Sequence, residues 1–245
     1  MSTPASAHLL TLEGVHTHIG AYHILHGVDL VVPRGQLTLL LGRNGAGKTT
    51  TLRTIMGLWP ASQGRITFSG DDITALHTPA IAQKNIAYVP ENMGIFADLT
   101  VKENMLLAAR GAKRVRQMDE QRLQWIFGLF PAVQKFWNHP AGKLSGGQKQ
   151  MLAVSRAIVE PRDLLIVDEP SKGLAPAIVQ NMIDAFRQLK ASGVTILLVE
   201  QNLHFARQLG DTVAVMDDGR VVHAGSMRAL AEDEALQRSL LGLAL

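Results

Sequence analysis

The sequence contains no cysteine, which excludes disulfide bridges and thiolate metal sites. Aromatic residues make up only 5% of its 245 positions, and no apolar run approaches the roughly 18 residues that a membrane-spanning helix needs. Neither charge dominates, since 24 basic residues face 21 acidic ones and the two signs are interspersed, so we expect no nucleic-acid partner. The N-terminus lacks a basic start and an apolar run, which predicts no secretory signal and, by default, a cytosolic protein.

Hydrophobic residues nevertheless account for 47% of the chain, enough for one large domain or one domain with an insertion. Short apolar runs alternate with helical patterns, which predicts an α/β fold with a mostly parallel central sheet. Residues 64–69 are a further strand candidate, and the segment from Ser226 is typical of a capped pair of amphipathic helices. The strands predicted for the central region are Leu37–Leu41, Ile86–Val89, Leu164–Val167, Thr195–Val199, Val213–Met216 and Arg220–His223.

A glycine-rich turn between the first of these strands and a helix beginning at Lys48 matches the phosphate-loop pattern G-x-x-x-x-G-K-[ST]. Its glycines let backbone N–H groups wrap a phosphate, and the helix N-terminus favours an anion. Lys48 supplies a charge for the β- and γ-phosphates, and the Thr49 hydroxyl can bind Mg²⁺. The predicted nucleotide-binding residues of this loop are Gly42, Arg43, Asn44, Gly45, Ala46, Gly47, Lys48, Thr49 and Thr50.

Two further patterns carry chemistry. The apolar strand Leu164–Val167 ends in Asp168 and Glu169, which places two carboxylates where open α/β sheets bind ligands. Asp168 can hold the metal, and Glu169 can polarise an attacking water. Separately, Leu144 is followed by Ser145, Gly146, Gly147 and Gln148, in which the serine is a natural helix N-cap and the glycines admit a phosphate.

These patterns together resemble the ATP-binding-cassette (ABC) ATPases, whose signature is this Leu-Ser-Gly-Gly-Gln pentapeptide. The resemblance covers nearly the whole chain. It implies a P-loop NTPase core at 1–90 and 159–245, comprising a RecA-like part and an N-terminal antiparallel β part, and an inserted helical signature subdomain at 91–158. It also implies ATP and Mg²⁺ as cofactors, and a head-to-tail dimer in which one subunit's phosphate loop faces the other's signature.

Three positions depart from the general cassette pattern. Glu91 stands where most cassettes have a metal-sensing Gln; a carboxylate can still bind Mg²⁺ but adds charge beside the phosphates. Gln201 replaces the usual His and can hydrogen-bond the γ-phosphate but cannot carry a proton. We therefore expect slow hydrolysis by the chain alone, with the alternative that Glu169 suffices. The adenine-stacking aromatic is replaced by Ile19, and Tyr22 lies nearby but out of register.

The wording of residues 169–176, which includes Gly-Leu-Ala-Pro, resembles the ATPases of branched-chain amino-acid importers. This implies a peripheral subunit on the cytoplasmic face of the inner membrane. Its partners would be integral permease subunits, a periplasmic binding protein, and either a second copy or a homologous ATPase. One alternative is the ATPase of a lipid or lipopolysaccharide exporter, which Glu91 and Gln201 disfavour. Another is a soluble cassette protein that acts on ribosomes or DNA.

Overall fold

The computed structural model describes residues 7–109, 112, 114 and 117–241. Its strands are β1 (His8–Ile19), β2 (Tyr22–Pro33), β3 (Leu37–Gly42), β4 (Ala61–Phe68), β5 (Asp71–Asp72), β6 (Ile86–Val89), β7 (Leu164–Asp168), β8 (Thr195–Val199), β9 (Thr212–Asp217) and β10 (Arg220–Ser226). Its α-helices are α1 (Lys48–Ile55), α2 (Thr78–Gln83), α3 (Val101–Ala108), α4 (Glu120–Leu129), α5 (Pro131–Lys135), α6 (Gly146–Ala157), α7 (Pro176–Ala191), α8 (Leu203–Leu209), α9 (Met227–Glu232) and α10 (Glu234–Leu241).

The central sheet has six strands in the order β10-β9-β3-β8-β7-β6. All neighbours are parallel except β9 and β10, which form an antiparallel hairpin. Every residue of β3, β7 and β8 is buried, as expected of parallel strands covered on both faces. The predicted α/β fold with a mostly parallel sheet is confirmed, and each predicted central strand is present.

A second sheet is antiparallel, with strand order β2-β1-β4-β5. It confirms the N-terminal antiparallel β part. The strand predicted at 64–69 is present but begins three residues earlier, at Ala61. The first five residues of β4 are largely exposed, so they lack the apolar alternation by which a strand start is recognised.

The central sheet separates two hydrophobic cores, and strand alternation assigns its residues to them. Leu40, Ile166 and Leu197 face a core shared with the antiparallel sheet and α1. Leu39 and Leu165 face the other core, which the helices from α3 onward complete. Because both faces are covered, the carboxyl edge of the sheet remains the place for a ligand.

The segment predicted to be a helical insertion, 91–158, holds α3, α4, α5 and α6. The predicted tail is also present: the Ser226 hydroxyl accepts a hydrogen bond from the Ala229 amide and caps α9, and α10 follows. Across the described ranges, 7–109 and 117–241, no helix is long and apolar enough to cross a membrane.

Candidate functional site

The loop between β3 and α1 approaches its neighbours too closely for most side chains. Gly42 has φ of 144°, and a Cβ atom there would lie 2.3 Å from the Met216 carbonyl oxygen at the end of β9. Gly47, with φ of 99°, occupies the N-cap position of α1. Glycine is therefore required at both positions to seat the loop against the sheet and present the helix N-terminus.

The Lys48 side chain folds back across this loop. Its Nζ donates hydrogen bonds to the carbonyl oxygens of Gly42 at 2.8 Å and Arg43 at 2.9 Å, and the residue is only 5% exposed. Burial lowers the pKa of Lys48, and the nearby carboxylates of Glu169 and Asp168 oppose that shift. The ammonium is thus held over the loop, and a phosphate would replace the two carbonyls as its partner.

Asp168 is the last residue of β7, at the same carboxyl edge of the central sheet where β3 ends, and it is 1% exposed. Burial raises its pKa, and a hydrogen bond from the Thr49 hydroxyl opposes the rise. Tyr88 donates a long hydrogen bond of 3.5 Å to Oδ2, whereas Oδ1 is buried with no hydrogen-bond partner among the described residues. An orphaned buried carboxylate oxygen beside a hydroxyl is the donor set that a hard cation such as Mg²⁺ prefers.

Glu169, Gln201 and Asn44 form one hydrogen-bonded group. The Gln201 side-chain amide donates to Glu169 Oε1 and, at 2.8 Å, to Asn44 Oδ1 in the phosphate loop. The Glu169 backbone N–H donates to the Val199 carbonyl oxygen at 2.9 Å, which ties β7 to β8 at this edge. The primary amide of Gln201 has two N–H donors, so it can hold both partners at once. A neutral histidine has one donor and could not.

Lys172 makes a contact that the sequence did not predict. Its Nζ lies 2.6 Å from Glu91 Oε1 and 3.3 Å from Glu169 Oε2. The hydrogen bonds to Glu91 and Glu169 raise the pKa of Lys172. Glu91, expected to be a metal ligand, is therefore paired with an ammonium, which offsets the extra negative charge expected beside the phosphates.

Glu200 was also missed, although it is the buried carboxylate directly after β8. It is 2% exposed and accepts hydrogen bonds from the backbone N–H groups of Ser171, Gln201 and Asn202. Burial raises the pKa of Glu200, and hydrogen bonds from the Ser171 hydroxyl and from these backbone amides oppose the rise. The available signal was an acidic residue immediately following the apolar run Ile196–Val199, the same kind of signal that identified Asp168.

The signature segment begins α6 and satisfies its own polar groups. The Ser145 hydroxyl accepts from the Gln148 amide, and Gln148 Oε1 accepts from the Ser145 amide at 2.9 Å. This reciprocal pair is a capping box. Within the described part of the chain, none of the hydrogen bonds joins residues 145–148 to residues 42–50.

The two signature glycines differ. A Cβ atom on Gly146 would meet no described residue within 4 Å, whereas one on Gly147 would lie 2.6 Å from the Ile178 side chain of α7. Gly146 therefore leaves the helix N-terminus open, as expected for both. Gly147 is also needed for packing, because only a small residue fits against Ile178 of α7, and its contact with a phosphate stays a prediction.

The predicted adenine contacts lie at the turn between β1 and β2. Ile19 pairs with Tyr22 there, and Tyr22 is 76% exposed. The choice between them as the adenine-binding residue stays open.

A cavity of about 1050 Å³ opens beside the carboxyl edge of the central sheet, at the end of β6 and the helical segment. Arg53, Tyr88, Glu91 and Arg156 are among its lining residues. Arg156, at the C-terminal end of α6, donates a hydrogen bond to the Gly94 carbonyl oxygen at 2.5 Å, and its guanidinium lies 5.1 Å from the centre of the Phe96 ring.

Comparison with solved structures supports the same architecture. A nucleotide-free ATP-binding cassette from an ABC transporter superimposes with a TM-score of 0.79 at 25% identity, over 94% of this chain and 97% of that one. The ADP conformation of an ATP-binding cassette of an ABC transporter gives a TM-score of 0.78 at 26% identity, over 94% and 96%.

Sequence comparison leads to the family. Residues 25–172, more than half of the chain, match the model of the ABC transporter family. The high-affinity branched-chain amino acid transport ATP-binding protein BraG of Pseudomonas aeruginosa is 38% identical over 234 residues, 96% of this chain and 100% of that protein. The probable branched-chain amino acid transport ATP-binding protein LivF of Archaeoglobus fulgidus is 35% identical, over 90% and 93%. This chain therefore belongs to the ABC transporter family, as one of its nucleotide-binding, ATP-hydrolysing cassettes.

Proposed function

We propose that this cassette hydrolyses Mg²⁺-bound ATP at the edge where β3, β7 and β8 end, and thereby powers a membrane importer for branched-chain or related amino acids. The observation that carries the catalytic part is the contact group of Glu169, Gln201 and Asn44 beside the phosphate loop. It joins the predicted base, its orienting amide and the phosphate loop through side-chain contacts.

The phosphate loop would bind the ATP phosphates through its backbone amides, and Lys48 would exchange its two carbonyl partners for the β- and γ-phosphate oxygens. Thr49 and Asp168 would hold Mg²⁺, and this assignment is supported by the buried Asp168 Oδ1, which has no hydrogen-bond partner in the described part of the chain. Glu91 is a further candidate ligand once Lys172 releases it. The metal would neutralise charge on the transferred phosphate.

Glu169 would act as the general base. Its side chain is 9% exposed, and its Oε1 is oriented by the Gln201 amide while its Oε2 lies near Lys172. The carboxylate would accept a proton from the attacking water, and Gln201 would keep the carboxylate aligned without itself transferring a proton.

The signature at Ser145, Gly146, Gly147 and Gln148 would complete the ATP site of a second cassette. Its helix N-terminus is open at Gly146, and such a terminus favours a bound anion. The second cassette is either another copy of this chain or a homologous subunit. We assign 91–158 as the subdomain that carries this surface.

The transport role rests on the relatives, of which BraG and LivF are named as branched-chain amino acid transport ATP-binding proteins. Integral permease subunits would dock in the cavity lined by Tyr88, Glu91 and Arg156, on the cytoplasmic face of the inner membrane. A periplasmic binding protein would deliver the amino acid to them. The near balance of 24 basic and 21 acidic residues gives no support to a role on ribosomes or DNA.

The catalytic assignment is tested with Glu169→Gln. Loss of the base should lower kcat about 100-fold or more, while ATP binding persists because the phosphate loop is intact. Glu232→Gln, which alters an exposed carboxylate of α9 that pairs with Arg228, is the matched control and should hydrolyse normally. Undiminished kcat in Glu169→Gln would remove Glu169 from the mechanism.

The transport assignment is tested by uptake of radiolabelled leucine in cells that lack this chain. The wild-type chain should restore uptake and Glu169→Gln should not. Co-purification with integral membrane subunits would support the importer. Restored export of a lipid, or co-purification with ribosomes, would overturn it.

A further inference from the structure

The Glu200 carboxylate connects two loops of the site, the loop after β7 and the loop after β8. Its Oε1 accepts from the Ser171 amide at 2.9 Å, and its Oε2 accepts from the amides of Gln201 and Asn202 at 3.0 Å each. The carboxylate is 2% exposed. Burying a charge is costly unless its oxygens are hydrogen-bonded, and here both are.

The two loops it joins each carry a side chain of the proposed reaction. Ser171 lies in the loop after β7, between Glu169 and Lys172. Gln201 lies in the loop after β8, directly after Glu200, and Asn202 caps α8 by accepting from the Phe205 amide at 3.1 Å. Glu200 therefore connects the backbone beside the proposed base with the backbone of its orienting amide.

A carboxylate suits this task because its two oxygens reach different loops at once. A serine or threonine hydroxyl has a single oxygen and could not accept from both loops in this way. Glutamine could keep one acceptor, but its amide N–H₂ group would face a backbone N–H donor. The residue type at position 200 thus follows from the geometry of the two loops.

We infer that Glu200 is a positioning residue that fixes the loop of Glu169 relative to the loop of Gln201, so that Gln201 stays in contact with the base. The inference rests on the proposed roles of Glu169 and Gln201. It also means that a displacement of the 170–176 loop would be transmitted to Gln201 through the Glu200 side chain. Among the described residues, the hydrogen bonds of the Glu200 carboxylate to these two loops come from the backbone amides of Ser171, Gln201 and Asn202, so it acts on the reaction through the backbone.

The test compares Glu200→Ala and Glu200→Gln with Asp211→Asn in the full chain. Asp211 is the matched control, because its carboxylate also accepts from a backbone amide, that of Leu37 at 2.9 Å, but at the opposite end of β3. We would measure kcat, KM for ATP, affinity for a fluorescent ATP analogue and the melting temperature of each variant.

Glu200→Ala should lower kcat about 10- to 100-fold through misplacement of the base, with the affinity for the ATP analogue unchanged. Glu200→Gln should recover part of that loss. Asp211→Asn should lower the melting temperature without lowering kcat. In a double variant with Glu169→Gln, Glu200→Ala should cause no additional loss of kcat, because the base through which it acts is already absent.

Unchanged kcat in Glu200→Ala would overturn the inference. So would a loss of kcat that is fully additive with Glu169→Gln, or one that parallels falling nucleotide affinity. If Glu200→Ala does not fold, the same comparisons are made with Glu200→Gln, whose side chain has the same shape. Full turnover by Glu169→Gln would instead contradict the proposed function and identify which of the two proposals fails.

Discussion

The phosphate-loop edge and the signature segment differ in how their polar groups are satisfied. At the phosphate-loop edge, contacts cross from one element to another: Lys48 reaches Gly42, and Gln201 reaches Asn44 and Glu169. At the signature, Ser145 and Gln148 satisfy each other within one helical turn.

This difference indicates that the phosphate-loop edge depends on tertiary contacts for its geometry. The signature, in contrast, is locally ordered, and the fold only places it at the surface. The phosphate-loop edge should lose function when any of its long-range contacts is removed. The signature should tolerate changes within its own chain but fail where another subunit has to approach. Substitutions in each region can separate these two behaviours.

Lys48→Ala should have the largest effect. It removes the ammonium that faces the phosphates, and we expect ATP affinity to fall at least about 100-fold, or about 2.7 kcal/mol. Lys190→Ala is the control, since that lysine also donates to a backbone carbonyl, at Leu209, and lies outside the site. Calorimetric or fluorescence titration of ATP gives both affinities. Retained affinity in Lys48→Ala would show that the loop backbone alone binds the phosphates.

Gly146→Asp should have the next largest effect, and only on assembly. On a Glu169→Gln background, ATP-driven dimerisation should weaken at least about tenfold, or about 1.4 kcal/mol, because a carboxylate would meet the partner's phosphates. ATP binding by the monomer should persist. Gly128→Asp, at an equally open glycine of α4, is the control.

Light scattering with ATP measures that dimer. Gly146 is a sharper test than Gly147 or a bulky replacement at Ser145. An aspartate at 147 would collide with Ile178 and destabilise the fold, and an arginine at 145 would break the capping box. A dimer that survives Gly146→Asp would contradict the head-to-tail arrangement.

Gln201→His, alone and with Glu91→Gln, should have the smallest effect, a rise of a few-fold in the ATPase rate of the isolated chain. A histidine can carry a proton, although its single N–H donor gives up one of the two contacts of Gln201. Steady-state phosphate release measures the rate. If neither variant is faster and the wild-type chain already turns over at about 1 s⁻¹ or more, the expectation of a slow isolated site is wrong.

Much of the fold was predictable because short contiguous stretches of the sequence determine its elements. Apolar runs such as Ile196–Val199 predict buried parallel strands, and the phosphate loop is a contiguous motif. The start of β4 at Ala61 was not predictable, because its exposed polar residues owe their strand conformation to pairing with β1.

The unpredicted parts of the site are contacts between residues far apart in the chain. Lys172 and Glu91 are separated by 81 positions, and Ser171 and Glu200 by 29. Neither pair leaves a periodic or contiguous signal. Only the packing of β6, β7 and β8 side by side brings these loops together, so the pairings follow from the fold and not from local sequence.

Helix α6 has a mechanical consequence. The open N-terminus of this helix is the signature, and its last turn carries Arg156 in the cavity beside Gly94 and Phe96. At 1.5 Å per residue, its 12 residues span about 18 Å. A packed helix moves as a rigid body. If the nucleotide bound by a partner subunit displaced Gly146, Arg156 at the other end of α6 would therefore move with it and change the shape of the cavity. Events at the two surfaces would then be parts of one movement.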